Sequence, residues 1–367
     1  MPDVSVLHLP PSASPLAVGP GLALFDGEGF GGLAAHDPEA ILEGGWQDWG
    51  ILEEALAVGS GGGLAGWFDY EGNFRFGDFP TWTACPALET PNPVPRTGQP
   101  DFSPGLGKEE WIRLVGRAKD YIAAGDIYQV NLTRTLSASW PEDPAAFYPR
   151  LRRASPAPYA CFLRLGDTAV LSASPECFLQ IDGRRIMTRP IKGTRPRGAD
   201  DASVMEELLG SEKERAELVM ITDLERNDLG QVCEFGSVRV TALCQLRSFA
   251  QVHHLVSEVE GKLRPDVTPV QALRACYPGG SITGAPKKRA REIIAELEPT
   301  PRGIYTGAIG FFSRSGSAVF NIAIRTMVVR DGLATYGVGS GLVADSDPGS
   351  EYEETLHKAA GLFAALS

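Results

Sequence analysis

Four apolar runs, Tyr159–Leu165, Ala169–Ala173, Cys177–Ile181 and Arg185–Arg189, follow one another with no helical stretch between them. Strand succeeding strand excludes the regular strand–helix alternation of a doubly wound fold, and no repeat of fixed period is visible, so the predicted class is α+β. Helical spacing governs other stretches: Trp111, Leu114, Val115, Ala118 and Ile122 share one face, and Gly125 ends that helix. Further helices are predicted over Ser203–Asp223, Pro269–Ala275, Pro286–Leu297 and from Glu351 onward. Ile127–Ser139 alternates instead, with Tyr128, Val130, Leu132 and Leu136 opposite Gln129, Asn131, Thr133 and Thr135, the pattern of a strand whose polar face lines a cavity. Strands are also predicted near Ile304–Phe312, Ala318–Val329 and Leu333–Gly337. Residues 1–83 read as β-rich, with a short helix around Trp49–Val58. Prolines 86, 91, 93, 95, 100 and 104 make 84–107 an extended connector ahead of 108–367, because each removes a backbone donor and biases its predecessor away from helix.

The formal net charge of −12 excludes nonspecific attraction to nucleic acid or acidic membranes, and an anionic ligand needs a locally positive pocket or a bound cation. Cys85, Cys161, Cys177, Cys233, Cys244 and Cys276 show no Cys-x-x-Cys spacing, which argues against a zinc site or disulfide framework and fits buried thiols in a reducing compartment. The opening residues lack a basic, then apolar, leader, and no uninterrupted apolar stretch is long enough to span a bilayer. A cytoplasmic location is expected.

Several constellations can carry chemistry. Glu214 and Glu217 share one face of a predicted helix, and Glu351 and Glu354 share another. Two such pairs facing each other suit a hard cation. Ser211 with Glu214, and Ser350 with Glu353, also fit a capping box that merely closes a helix, and both readings can hold together. In RPIKGTRPRG, a strand ending at Pro190 delivers Lys192 beside Gly193 and Thr194. A sheltered lysine there is a nucleophile, an exposed one a solvated loop residue. Gly339 and Gly341 precede a helix start, where free amides bind carboxylates. Arg325 lies among apolar neighbours and needs an anion, either a ligand or a structural acid. His254 alternates with Val252 and Val256 on a strand face, the basic residues of PKKRAREII read as a solvated face, and GSGGGLAG reads as a turn between strands.

Together these segments resemble the chorismate-binding enzymes, the family of anthranilate, aminodeoxychorismate, isochorismate and salicylate synthases. The matching pieces run in family order: GDIYQVNL, SASPECF, RPIKGTRPRG, SEKERAELVMITDLERNDLG, VHHLVS, GGSITGAPKKRA, RGIYTGAIGFF, FNIAIRT and GSGLVADSDPGSEYEETLHKA. The resemblance implies a large β-sheet sandwich flanked by helices, to which the N-terminal residues add strands. It implies Mg²⁺ held by Glu217 and Glu354, with Glu214 and Glu351 acting directly or through water, and clamping the ring carboxylate of chorismate. Arg325, Tyr305 and the amides of Gly339 and Gly341 then meet the enolpyruvyl carboxylate. Thr194 and Ser281 line the ring, His254 lies near it, and Lys358 supports the acidic cluster.

Within the family, isochorismate and salicylate synthases carry a water-activating lysine where this chain has Gln129, so ammonia becomes the expected nucleophile. Anthranilate synthases typically read PIAGT where this chain reads PIKGT, and Lys192 matches the aminodeoxychorismate synthases, whose product leads to p-aminobenzoate and folate. The implied chemistry is attack by Lys192 on C2, with Glu176 as general acid–base residue, then ammonia addition at C4. No glutamine-hydrolysing segment is recognised, so a separate glutamine amidotransferase subunit is expected to supply ammonia. The tryptophan-binding motif of anthranilate synthases is not located. An anthranilate synthase component I is the alternative enzyme; a noncatalytic chorismate-binding partner of an amidotransferase is the alternative of another class.

Overall fold

The run of strands from Tyr159 onward does not build one sheet. It is dealt between two ten-stranded sheets, each with antiparallel ladders. The computed structural model describes residues 21–85, 100–198, 200–249 and 251–367, so the predicted connector lies outside them over 86–99.

The first sheet runs in the order Gly284–Ala285, Gln129–Ser139, Leu333–Leu342, Thr326–Arg330, Thr168–Ser174, Tyr159–Leu165, Gly21–Phe25, Leu33–His36 and Thr83–Ala84, with Ser103–Pro104 also paired to Gln129–Ser139. The second runs Ile191–Pro196, Val252–Lys262, Arg185–Arg189, Cys177–Asp182, Ala318–Ile322, Ala308–Ser313, Gly63–Phe68, Phe74–Phe79 and Ala40–Gly44, with Arg239–Ser248 also on Val252–Lys262. Strands from the first 85 residues thus enter both sheets.

Side-chain period explains why the two sheets stack. Tyr159, Cys161, Leu163 and Leu165 pack with Phe25, Trp67, Ile309 and Phe311 between the sheets, while Phe162 points the other way, to Phe147, Tyr148 and Leu362 under the helices Pro144–Ala154 and Ala360–Leu366. Both faces of such a strand are buried, which is why it reads as a continuous apolar run. Truncating Leu163 to alanine in this layer costs about 2–5 kcal/mol. The outer face of the second sheet carries Phe68, Phe76 and Phe320, closed over by the helices Gly50–Leu56 and Pro269–Cys276 with their flanking residues Trp49 and Tyr277.

Several predicted elements divide or shift. Ala318–Val329 is two strands, Ala318–Ile322 in the second sheet and Thr326–Arg330 in the first; the chain crosses between them with Arg325 in the left-handed region, φ 50°. Ser203–Asp223 is two helices, Asp201–Gly210 and Glu212–Gly230, because Ser211 caps the second by accepting from the Glu214 amide. The last helices begin at Pro348, where Asp347 is the cap and accepts from the Ser350 amide at 2.8 Å. Ser350 therefore caps nothing, and Glu353 pairs with Lys108 instead. GSGGGLAG joins a helix to a strand rather than two strands, and the strand predicted from Ile304 begins at Ala308. The helix Pro144–Ala154, capped by Asp143, was not anticipated. All six cysteines are free and buried. Among the described residues no helix is long and apolar enough to cross a membrane.

Candidate active site

The strand Ile191–Pro196 ends the second sheet, and its ladder with Val252–Lys262 is irregular between Lys192 and Thr194. Gly193 sits at that irregularity with φ 63°, and a Cβ there would lie 2.7 Å from Leu208 Cδ1. Only glycine satisfies both demands, and the kink aims Lys192 off the sheet. Its ammonium lies 3.7 Å from a Glu217 carboxylate oxygen, and its side chain is 15% exposed. It also lies 3.6 Å from where a Cβ on Gly341 would stand, on a strand of the other sheet. Lys192 is therefore a sheltered side chain where the two sheet edges meet, not a solvated loop lysine.

Gly337, Gly339 and Gly341 recur at the strand period, leaving that face of Leu333–Leu342 without side chains from Gly337 to Gly341. The Tyr305 ring lies directly over Gly337, with its side-chain carbons 2.0–2.5 Å from a Cβ placed there. The Asn131 and Thr133 amides turn away from this strand, to Thr283 O and Glu298 Oε1, each at 2.8 Å. The pairs Gly341–Asn131 and Gly339–Thr133 are therefore the non-hydrogen-bonded ones of the ladder. The amides of Gly339 and Gly341 consequently point to the opposite edge, which no strand among the described residues covers beyond Tyr336. Lys358 reaches the Gly339 carbonyl on that edge at 2.9 Å, as this geometry requires.

Two helices bring acids to the same place. Glu212–Gly230 packs on the strands of the second sheet and Pro348–Lys358 on Leu333–Leu342. Burial raises the Glu217 carboxyl, with Glu214 and Glu354 adding like charge and Lys192 opposing them. Burial also works against the Glu354 charge, yet Lys358, Lys192 and Lys213 hold it below the usual range. Glu351 is buried, and its two oxygens accept from Ser340 and Ser346. Clustered, largely buried carboxylates of this kind have the oxygen chemistry that suits a hard cation. As the side chains stand, no three His, Cys, Asp or Glu groups converge closely enough to hold one among the described residues.

Unsatisfied polar groups line the remaining wall. Both side-chain amide atoms of Gln129 and the Ser281 hydroxyl are buried without a partner. Ser281 approaches Glu176 short of a closed hydrogen bond, and burial pushes the Glu176 carboxyl up to about 7, against the influence of Ser281, Lys192 and the Ile191 amide. His254 Nδ1 is 3.0 Å from the Thr194 hydroxyl and 3.3 Å from the Gly193 carbonyl, while its buried Nε2 has no partner. Burial, with the nearby Arg325 charge, brings His254 down to about 4. Burial likewise lowers Arg325, which makes no side-chain hydrogen bond or ion pair among the described residues. The structural-acid alternative for Arg325 is thereby removed.

Other participants left weaker traces in the sequence. Asn131 holds the Ser281 carbonyl at 2.6 Å. Lys287, predicted as part of a solvated face, is mostly buried and pairs with Asp228 at 2.5 Å. Glu225 is buried against Thr188, and Arg302 with Glu298 braces the strand below the site. A lysine or an acid in a polar helical stretch carries no sequence signal of burial, since its partners lie on distant segments. A cleft of about 1050 Å³ opens beyond Lys287, on the far side of these acids.

Fold and site define a two-sheet α+β protein in which a lysine and clustered carboxylates gather where the two sheet edges meet, with an arginine that has no polar side-chain partner among the described residues. Residues 80–364 match the chorismate binding enzymes, and the chain belongs to that family. It is 49% identical over 263 residues to aminodeoxychorismate synthase of Streptomyces griseus, covering 71% of this chain and 36% of that one. It is 47% identical over 272 residues to anthranilate synthase component 1 of Thermus thermophilus, covering 73% and 59%. Against aminodeoxychorismate synthase component 1 of Bacillus subtilis it is 42% identical over 287 residues, covering 77% and 61%. The chain thus spans from about a third to three fifths of these relatives. The crystal structure of anthranilate synthase component I from Streptococcus pneumoniae superposes with a TM-score of 0.79 at 28% identity, covering 98% of this chain and 94% of that one.

Proposed function

We propose that this chain is an aminodeoxychorismate synthase component I, converting chorismate and ammonia to 4-amino-4-deoxychorismate. The observation that carries this reading is the sheltered Lys192 amine at the junction of the two sheets, 3.7 Å from Glu217. Chorismate is a dianion; the unpaired Arg325, with the outward amides of Gly339 and Gly341, receives one carboxylate. Glu214, Glu217 and Glu354 would hold Mg²⁺, with Glu351 bracing them through Ser340 and Ser346. When bound, the ion supplies a positive counter-charge for the other carboxylate.

The Lys192 ammonium first gives a proton to solvent; the amine then forms a bond to C2, and the C4 hydroxyl departs as water with the proton of Glu176. Ammonia bonds to C4, the bond from C2 to Lys192 breaks, and the double bonds return to their starting pattern. The product amine leaves protonated, so Glu176 must regain a proton before the next turnover. General acid help of this kind is worth about 10²–10⁴-fold. Gln129 has no basic group to activate water, which favours ammonia as the second nucleophile. A glutamine amidotransferase subunit is the proposed ammonia source.

The second reading is an anthranilate synthase component 1, favoured by relatives of that name at similar identity. Chorismate, Mg²⁺ and an ammonium salt separate the two: fluorescent anthranilate formed without an added lyase would sink the first reading. Trapping should give a chorismate-derived mass increment on Lys192 that Lys192→Ala lacks. Full turnover by Lys192→Ala would remove the covalent step.

A further inference from the structure

Behind Glu176 lies an acid that this mechanism has not used. Glu225 is 6% exposed, and its only hydrogen bond among the described residues is from the Thr188 hydroxyl, at 2.6 Å. No cation lies within ion-pair distance of it among the described residues. Its Cγ packs 3.6 Å from where a Cβ on Gly280 would stand. The next residue is Ser281, whose buried, unpartnered hydroxyl approaches Glu176. On the other side, one helical turn along, Asp228 binds Lys287, which also donates to the carbonyls of Cys276 and Pro278 at 2.9 and 2.8 Å. Asp228 and Lys287 form part of the wall of the 1050 Å³ cleft, with Gln231, Arg291 and Tyr70. Carboxyl groups thus run from the reacting centre to a second solvent face: Glu176, Glu225, Asp228.

An uncompensated carboxylate at this depth is costly, and a structural role alone would be served by glutamine, which accepts the same Thr188 bond. Under the proposed function, substrate occupies the front of the site when Glu176 has lost its proton. We propose that Glu225 is a positioning residue that holds a proton behind Glu176 and returns it after each turnover, recharged from the cleft through Asp228 and Lys287. This rests on the reading of Glu176 as the general acid. The step balances: Glu225 loses the proton that Glu176 gains, and water in the cleft replaces it by way of Asp228, while Lys287 stays charged. The ionisable groups around Glu225 are Glu176, Cys177, Asp228, Cys276 and Lys287. Burial pushes both thiols up, so they stay neutral, and it pushes Glu225 itself up to about 8, with Glu176 and Asp228 adding to the effect. At neutral pH Glu225 therefore carries the proton the relay needs.

The test uses the whole chain with chorismate, Mg²⁺ and ammonium salt, comparing wild type, Glu225→Gln, Glu225→Asp and Glu176→Gln. Glu225→Gln should lower kcat about tenfold with KM for chorismate unchanged, and should raise the solvent deuterium isotope effect on kcat; Glu225→Asp should recover part of the loss. Infrared titration without substrate should find one fewer buried carboxylic acid ionising between about pH 6 and 9 in Glu225→Gln. Unchanged kcat, or a lower kcat with an unchanged isotope effect, overturns the relay while leaving Glu176 in place. Full activity in Glu176→Gln removes the general acid and the relay with it.

Discussion

Arg302 is buried and Arg325 half-buried in the same sandwich, and the two differ most in their partners. Arg302 binds Glu298 through Nε and Nη2, each at 2.8 Å, gives Nη1 to the Ile282 carbonyl at 2.9 Å and Nη2 to the Asn131 carbonyl at 2.7 Å, and lies over the Tyr70 ring. Burial works against its charge, yet Glu298 more than compensates. Arg325 has a left-handed backbone at the crossing between sheets and no polar side-chain partner among the described residues. A satisfied buried cation organises structure; an unsatisfied one is held for a ligand. The first supports the strand and loop that carry Gln129 and Ser281; the second, under the proposed function, receives a carboxylate of the substrate.

The largest effect should separate the two in stability. Arg302→Ala strands Glu298 as a buried, unpaired charge and should cost about 3–5 kcal/mol in denaturant unfolding. Arg325→Ala removes an unpaired charge and should leave the unfolding midpoint unchanged or raised. Equal losses in both variants would erase the distinction. Activity should reverse the order among folded proteins: Arg325→Ala should lower kcat/KM by about 2–4 kcal/mol, or roughly 30- to 1000-fold, through lost carboxylate binding. Arg325→Lys should not restore it, because a point charge lacks the planar fork; full rescue would argue against paired hydrogen bonds to a carboxylate.

The glycine-faced strand sharpens the contrast on a smaller scale. A Cβ on Gly341 would lie 2.6 Å from Gln129 Nε2 and 3.0 Å from Asn131 Oδ1, so Gly341→Ala should cost about tenfold in kcat/KM with a stability change under about 1 kcal/mol. Gly337→Ala meets the Tyr305 ring instead, at 2.0 Å, and should register in stability, by about 1–3 kcal/mol. If both variants lost only stability, the bare face would be a packing feature alone.

How much of this was legible follows from where each signal lies along the chain. The α+β class, Lys192 beside its glycine, and the spacing of Glu214 with Glu217 and of Glu351 with Glu354 are local patterns, and the structure brings Lys192, Glu217 and Glu354 to one place. The crossing inside Ala318–Val329 was not legible, because nothing in an apolar run announces a change of sheet; only the positive φ at Arg325 marks it. Lys287 read as solvated, and nothing local marked Glu225 or Asp228 as buried, since their burial is imposed by Thr188, Gly280 and the carbonyl of Cys276, all distant in sequence. Ser350 matched a cap by spacing but lost that role to Asp347, three residues earlier, which accepts from the Ser350 amide and so places Ser350 inside the helix.

The smallest effect tests the site's one imidazole that lacks a partner on Nε2 and faces an arginine. The Gly193 carbonyl can only accept, so Nδ1 of His254 carries the hydrogen and Nε2 presents a lone pair toward the ligand space. Thr194→Val removes the second Nδ1 partner but leaves that carbonyl, and should cost only about 0.5–1 kcal/mol of stability with the tautomer retained. Nitrogen NMR should find His254 as the Nδ1–H form in both proteins and untitrated between about pH 5 and 8, since its folded value is depressed to about 4. The sign follows: neutral His254 contributes stability fully above its unfolded value near 6.5, and the contribution is lost as pH falls through about 4. A His254 signal titrating near 6.5 in the folded chain would mean that this side chain is hydrated, and that Arg325 and His254 do not share one dry, electropositive wall.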